Sequence, residues 1–66
     1  MATVKVIELL ASSNKSWSDA TEQAIAKAGK TLRNIKSANI QNFGVTVENG
    51  KIKEYRINAK LSFEVE

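Results

Sequence analysis

The clearest pattern lies at the end of the chain, where Tyr55, Ile57, Ala59, Leu61, Phe63 and Val65 alternate with Glu54, Arg56, Asn58, Lys60, Ser62, Glu64 and Glu66. Successive side chains of a strand point to opposite faces, so the alternation predicts a strand over 51–65 with one buried and one polar face. Just before it, Glu48-Asn49-Gly50-Lys51 carries the Asn-Gly pair that supplies positive φ at both central positions of a two-residue hairpin turn. The turn joins the last strand to a preceding one at 37–48. There Ala38 and Ile40 are even-numbered while Phe43, Val45 and Val47 are odd, and a regular strand would place the two sets on opposite faces. A bulge or bend around Gln41 to Gly44 returns them to one face.

The beginning of the chain reads differently. Val4, Val6, Ile7, Leu9 and Leu10 make an apolar, β-branched run that stops at the polar cluster Ser12 to Ser16, predicting a strand over 3–11 and then a loop. Ser16 and Asp19 stand three apart ahead of an Ala-rich stretch, a variant of the capping box in which the Ser hydroxyl accepts an orphan backbone N–H and the acid sits in the positive first turn. Trp17, Ala20, Ala24, Ala28, Leu32 and Ile35 recur at helical spacing, with Glu22, Gln23, Lys27, Lys30 and Arg33 on other faces. A helix over 16–34 is predicted, continuing past Gly29, with Trp17 as a core or interface anchor. Its three alanines let it lie close to whatever it covers.

Length changes what this pattern means. A chain of 66 residues without Cys or His has a small core and neither a disulfide nor the usual zinc ligands to reinforce it, which leaves oligomerisation as the reinforcement. The last strand, at about 3.3 Å per residue, spans roughly 50 Å. A compact domain of this length has a radius of gyration near 11 Å and a diameter of about 28 Å. The strand outreaches its own domain, so it has to curl, project or pair with another copy.

Charge narrows the function classes. Ten basic and seven acidic residues give a net charge of +3, interleaved along the chain without a basic block, which argues against nucleic acid or a membrane surface as the partner. Lys5 and Glu8 interrupt the apolar stretch from Met1 to Leu10, unlike a signal peptide, and a cytoplasmic location is expected. Ser and Lys are present without a base arranged by any motif, so the chain is not expected to be an enzyme. Lys15 and Ser16, before a helix N-terminus, are the best small-anion candidates, although the loop lacks the glycines of phosphate-binding loops. Arg56 could pair with a neighbouring chain's Glu or hold an anion. The metal ligands are unassigned: a hard cation would need oxygens, and only symmetry could gather Glu48, Glu54, Glu64 or Glu66 from several subunits.

Taken together, Ser13, Ser16-Trp17, Asp19-Ala20, Thr31-Leu32-Arg33, Asn49-Gly50, Glu54-Tyr55-Arg56 and Phe63 resemble, in order and spacing, the dodecin family. The resemblance covers nearly the whole chain. It implies an α+β, β-α-β-β subunit whose three-stranded antiparallel sheet wraps one helix, assembled as a homo-oligomer, a hollow dodecamer. It further implies a flavin-binding storage protein without turnover, holding riboflavin, FMN or FAD in stacked pairs at subunit interfaces. The family's flavin-site positions map onto Ser37, Ala38, Gln41 and Arg56, with Ser37 where members carry a stacking Trp and Arg56 where they carry a Gln. Arg has donors only and cannot accept a hydrogen bond from the flavin N3–H. The sequence is thus closer to dodecin-like proteins that lack the stacking Trp, for which calcium is one alternative ligand and a shell binding no flavin another. Trp17, Tyr55 and Phe63 are assigned to core or interface.

Overall fold

The computed structural model describes residues 3–65; Met1 and Glu66, named above, lie outside them. Four elements follow one another: β1 (Thr3–Ser13), α1 (Trp17–Ala28), β2 (Ile35–Glu48) and β3 (Lys51–Val65). The strands form one antiparallel sheet in the order β1-β3-β2, so the alternating final strand is the central one. That position explains its pattern, because a central strand covered on one face buries alternate side chains. Leu61, Ala59 and Ile57 are buried there with Ala20 and Ala24 of the helix, and Leu61 has no exposed surface. Ala11 of β1 and Ile40 of β2 border the same cluster. The helix packs on β1 and β3, and its alanines keep it close to the sheet.

Asn49 and Gly50, at φ 53° and 73°, turn the chain between β2 and β3 in the left-handed region, which the Asn-Gly pair accommodates. Gln41 is skipped in the β2–β3 register, between Ile40 opposite Ala59 and Asn42 opposite Asn58. This bulge brings even-numbered Ala38 and Ile40 onto the helix side together with odd-numbered Phe43 and Val45. Two further irregularities also shift the apolar parity, at Ile35 against Ala38 and at Ile52 against Tyr55, and were not predicted. Lys36 is passed over between Ile35 and Ser37, and Lys53 is passed over on β3, which places Ile52 opposite Val47.

Three predicted boundaries need correction. The helix ends at Ala28 with Gly29 as its C-cap, instead of continuing to Asn34. Gly29 is a poor helix former and Thr31 is β-branched. The last turn tightens through Lys30 N–H to Lys27 O at 3.2 Å and Thr31 N–H to Ala28 O at 3.1 Å, and Asn34, at φ 60°, redirects the chain into β2. Ile35 therefore leaves the helical stripe and opens β2 opposite Phe63. β1 in turn runs on through Ser12 and Ser13, opposite Arg56 and Tyr55, because ladder bonds use the backbone and tolerate polar side chains.

The molecule measures 50 × 20 × 13 Å with a radius of gyration of 13.5 Å, more extended than the compact estimate. The 12-residue helix covers only about 18 Å of that length. Beyond it, the β2–β3 hairpin projects as an arm with Phe43 62%, Val47 64% and Ile52 52% exposed on the helix side of the sheet. Leu61→Ala, at the centre of the core, should cost about 2–5 kcal/mol. Urea denaturation followed by far-UV circular dichroism checks this, and a loss below 1 kcal/mol would mean the core lies elsewhere.

Candidate functional site

The junction of β1 and α1 is organised by hydroxyls and one carboxylate. Ser16 Oγ accepts the Asp19 backbone N–H at 2.9 Å, which fills the N-cap role. The Asp19 carboxylate turns away from the cap and accepts from the buried Ser13 hydroxyl at 2.5 Å and from the Gln23 side-chain amide at 2.6 Å. Ser13 Oγ also accepts the Lys15 backbone N–H at 3.0 Å. The Ser13 hydrogen bond lowers the Asp19 pKa from its ordinary 3.8, Gln23 and the Lys15 charge assist, and burial opposes them. Lys15 and Ser16 thus stand beside a carboxylate, whose charge opposes a second anion at this helix start.

Trp17 fastens the opposite side of the same helix end. Its indole N–H donates to Gly44 O at 2.9 Å, across to β2. Its ring meets Tyr55 edge-on at 5.1 Å and 78°, and Phe43 at 5.7 Å and 80°. Such aromatic pairs contribute roughly 0.5–1.5 kcal/mol each beyond area burial. Trp17 remains 38% exposed, so it anchors the root of the arm and still presents surface. Phe63 lies farther along the same sheet face, half-buried opposite Ile35.

The face of the sheet away from the helix carries the polar side chains of β3. Register places Ser37 opposite Ser62, Asn39 opposite Lys60, Asn42 opposite Asn58, and Gly44 and Ser12 on either side of Arg56. Ser37 and Ser62 share a hydroxyl–hydroxyl hydrogen bond. Asn58 Oδ1 is buried there without a hydrogen-bond partner, beside an open pocket of about 210 Å³ bordered by Leu10, Asn42 and Arg56. β1 adds Val4, Val6 and Leu10 to this outer face, the last 71% exposed. Of the residues proposed for a ligand, Ser37 and Arg56 share the outer face but stand six β3 positions apart, about 20 Å. Ala38 lies opposite Leu61 on the helix side, and Gln41 is the bulge residue. One chain does not bring the four together.

This geometry has solved counterparts. The family model described as Dodecin matches residues 3–66. The dodecin of Streptomyces coelicolor superposes with a TM-score of 0.95 at 25% identity, covering 98% of this chain and 93% of that one. A variant of the Thermus thermophilus dodecin gives 0.94 at 27% identity, covering 100% and 98%. A Mycobacterium tuberculosis protein, described as a calcium-chelating immunodominant antigen and calcium dodecin, gives 0.85 at 31% identity, covering 97% and 91%. No curated protein matches in sequence. The chain belongs to the dodecin family.

Neither a flavin nor the calcium named for the Mycobacterium tuberculosis protein fits a single copy well. Dodecins bind flavins, yet Phe43, Tyr55 and Phe63 pair with residues of the helix-side face and Trp17 packs on that same face, which leaves the outer face without a stacking platform. For calcium, no group of three or more acidic, His or Cys side chains that could hold a metal occurs among the described residues. Glu48 pairs with Lys53 at 3.2 Å, Glu64 with Lys36 at 4.0 Å, and Glu54 accepts from Ser12 and Thr46 at 3.4 Å each. No helix among the described residues is long and apolar enough to cross a membrane.

Sequence reasoning identified the outer face through β3 parity, but it missed Asn58's orphaned oxygen and the proximity of Leu10 to Arg56. Only cross-strand register reveals these. The Asp19 network yields a pH prediction. Because its pKa is depressed in the fold, Asp19 contributes stability above its unfolded value of about 3.8 that is lost as pH falls through the lower folded value. Asp19→Asn should lower the urea midpoint at pH 7 and flatten its decline below about pH 4. An acid limb as steep as wild type would remove Asp19 from the account.

Proposed function

We propose that the chain is the subunit of a closed homo-oligomeric shell, a dodecamer, that binds a small molecule at its subunit interfaces without turning it over, and that holds flavin only weakly. The observation that carries the assembly is the projecting arm: Phe43 is exposed beside Trp17 at its root, and Val45, Val47 and Ile52 are exposed farther along it. Contiguous exposed apolar surface of this kind marks interaction sites. Homo-oligomeric shells are the habit of the family, and identical copies related by symmetry can cover one another's arms.

Weak flavin binding follows from the outer face. Stacking a ring on an aromatic side chain contributes about 1–3 kcal/mol. With Ser37 in the platform position, both members of a stacked flavin pair lose it, roughly two to four orders of magnitude in affinity. Arg56 in the Gln position removes the acceptor for N3–H. The Mycobacterium relative named a calcium dodecin, at 31% identity, favours a second reading in which the shell binds no flavin and gathers carboxylates from several copies around a divalent cation.

Titration of riboflavin fluorescence with purified protein tests the first reading: quenching should require protein well above micromolar, and tight nanomolar quenching would contradict it. Ser37→Trp combined with Arg56→Gln should tighten riboflavin binding at least about tenfold, and no gain in an intact oligomer would refute the mapping of the site. Calcium is checked by thermal unfolding with excess calcium and with chelator, where a shift of several degrees is expected only under the second reading.

A further inference from the structure

An open groove of about 550 Å³ wraps the edge strand β1, bordered by α1 on one face of the sheet and by Leu10, Ser12 and Arg56 of the outer face on the other, and of the mapped flavin positions it includes Arg56 alone. Its volume is in the range of small-molecule sites. Leu9, Leu10, Ala24 and Ala28 supply apolar walls, Gln23 and Ser12 supply neutral polar atoms, and Lys27 and Arg56 border it as its two cations. No carboxylate lines it.

The two cations have no counter-charge of their own. The ion pairs among the described residues are Lys36 with Glu64 and Lys53 with Glu48, so Lys27 and Arg56 have none. Glu54, one outward step along β3 from Arg56, accepts hydrogen bonds from Ser12 and Thr46. Lys27 lies in the last turn of α1, where the helix dipole favours a cation, and Arg56 presents a planar fork of donors suited to carboxylate, sulfonate or phosphate. Leu10 is 71% exposed within the same groove. Apolar walls carrying two uncompensated cations complement a molecule with an anionic head and an apolar body.

We propose that this groove binds a small anionic amphiphile, an aromatic or short-chain carboxylate, sulfonate or phosphate ester, with its anion between Lys27 and Arg56 and its apolar part against Leu10 and the helix alanines. The site needs no aromatic platform and no stacked pair, but it shares Arg56 with the mapped flavin positions and so rests on the small-molecule-binding reading above; a loss of probe binding in Lys27→Gln, with riboflavin behaviour unchanged, separates the two. At the position where flavin-binding relatives place an acceptor, Arg56 shifts recognition from a neutral ring edge to an anion.

The test is a fluorescence titration of the full chain, in its native oligomeric state, with 8-anilinonaphthalene-1-sulfonate as probe. Saturable enhancement is expected, weakened about fivefold or more by Lys27→Gln and by Arg56→Gln separately, and weakened by 0.5 M salt. Lys60→Gln, which removes an outer-face cation remote from the groove, should leave the affinity unchanged, as should Lys53→Gln near the tip of the arm. All four substitutions are at exposed positions, and circular dichroism verifies their folding. Absence of saturable binding to the wild-type oligomer, as when a neighbouring subunit fills the groove, would overturn the proposal. Equal affinity in the Lys27→Gln, Arg56→Gln double variant, or an equal loss in Lys60→Gln, would overturn it as well, because the probe would then be reading the apolar arm or net charge.

Discussion

Everything in this subunit follows from a mismatch of lengths. A 15-residue central strand and its 14-residue hairpin partner form a sheet that one helix of about 18 Å cannot cover, within a molecule 50 Å long. The core is therefore local, made of Leu61, Ala59 and Ile57 under Ala20 and Ala24. The remainder of the apolar face continues into the arm. A larger helix could have closed the domain, but this chain spends its residues on strand. In the proposed assembly other copies bury the arm, whose side chains gain about 25 cal/mol for each Å² removed from water.

The local devices all serve that sheet. The Gln41 and Lys53 irregularities keep the apolar residues of the β2–β3 hairpin on one face, where an unbroken pleat would have sent Ile52 outward. Trp17 ties the arm's root to the helix through Gly44 O and through Tyr55 and Phe43, so the arm leaves the core at a defined angle. The Ser13–Asp19–Gln23 network fixes the other side of the helix start. The outer face carries hydroxyls, amides, cations and carboxylates from β2 and β3 beside Val4, Val6 and Leu10 of β1, and the proposed ligand chemistry rests on it.

Much of the fold was legible from the residues. The parity of 54–65 and the Asn49-Gly50 turn are short-range signals, and both gave the β2–β3 hairpin, while Ser16 marked the helix start. The helix end was not legible, because Gly29 and Asn34 act together: a lone Gly weakens a helix without ending it, and Asn34's left-handed φ depends on tertiary contacts. The Lys36 and Lys53 irregularities were missed because Ile35 was assigned to the helix and a single apolar residue, Ile52, carried the parity change beside the turn. For the candidate site, the family resemblance mapped flavin positions onto Ser37 and Arg56, and the strand register puts the two on one face. Their separation of about 20 Å and the groove joining Lys27 to Arg56 depend on packing between distant segments, which no window of sequence contains.

Assembly is the claim on which the rest depends, and linkage gives it a direct test. If folding and association are coupled, the thermal midpoint of the unmodified protein rises with protein concentration. Calorimetry or circular dichroism across a hundredfold range of protomer concentration should show Tm climbing by several degrees. A reversible transition whose Tm is independent of concentration, in a protein that sediments near 7.3 kDa, would contradict the account.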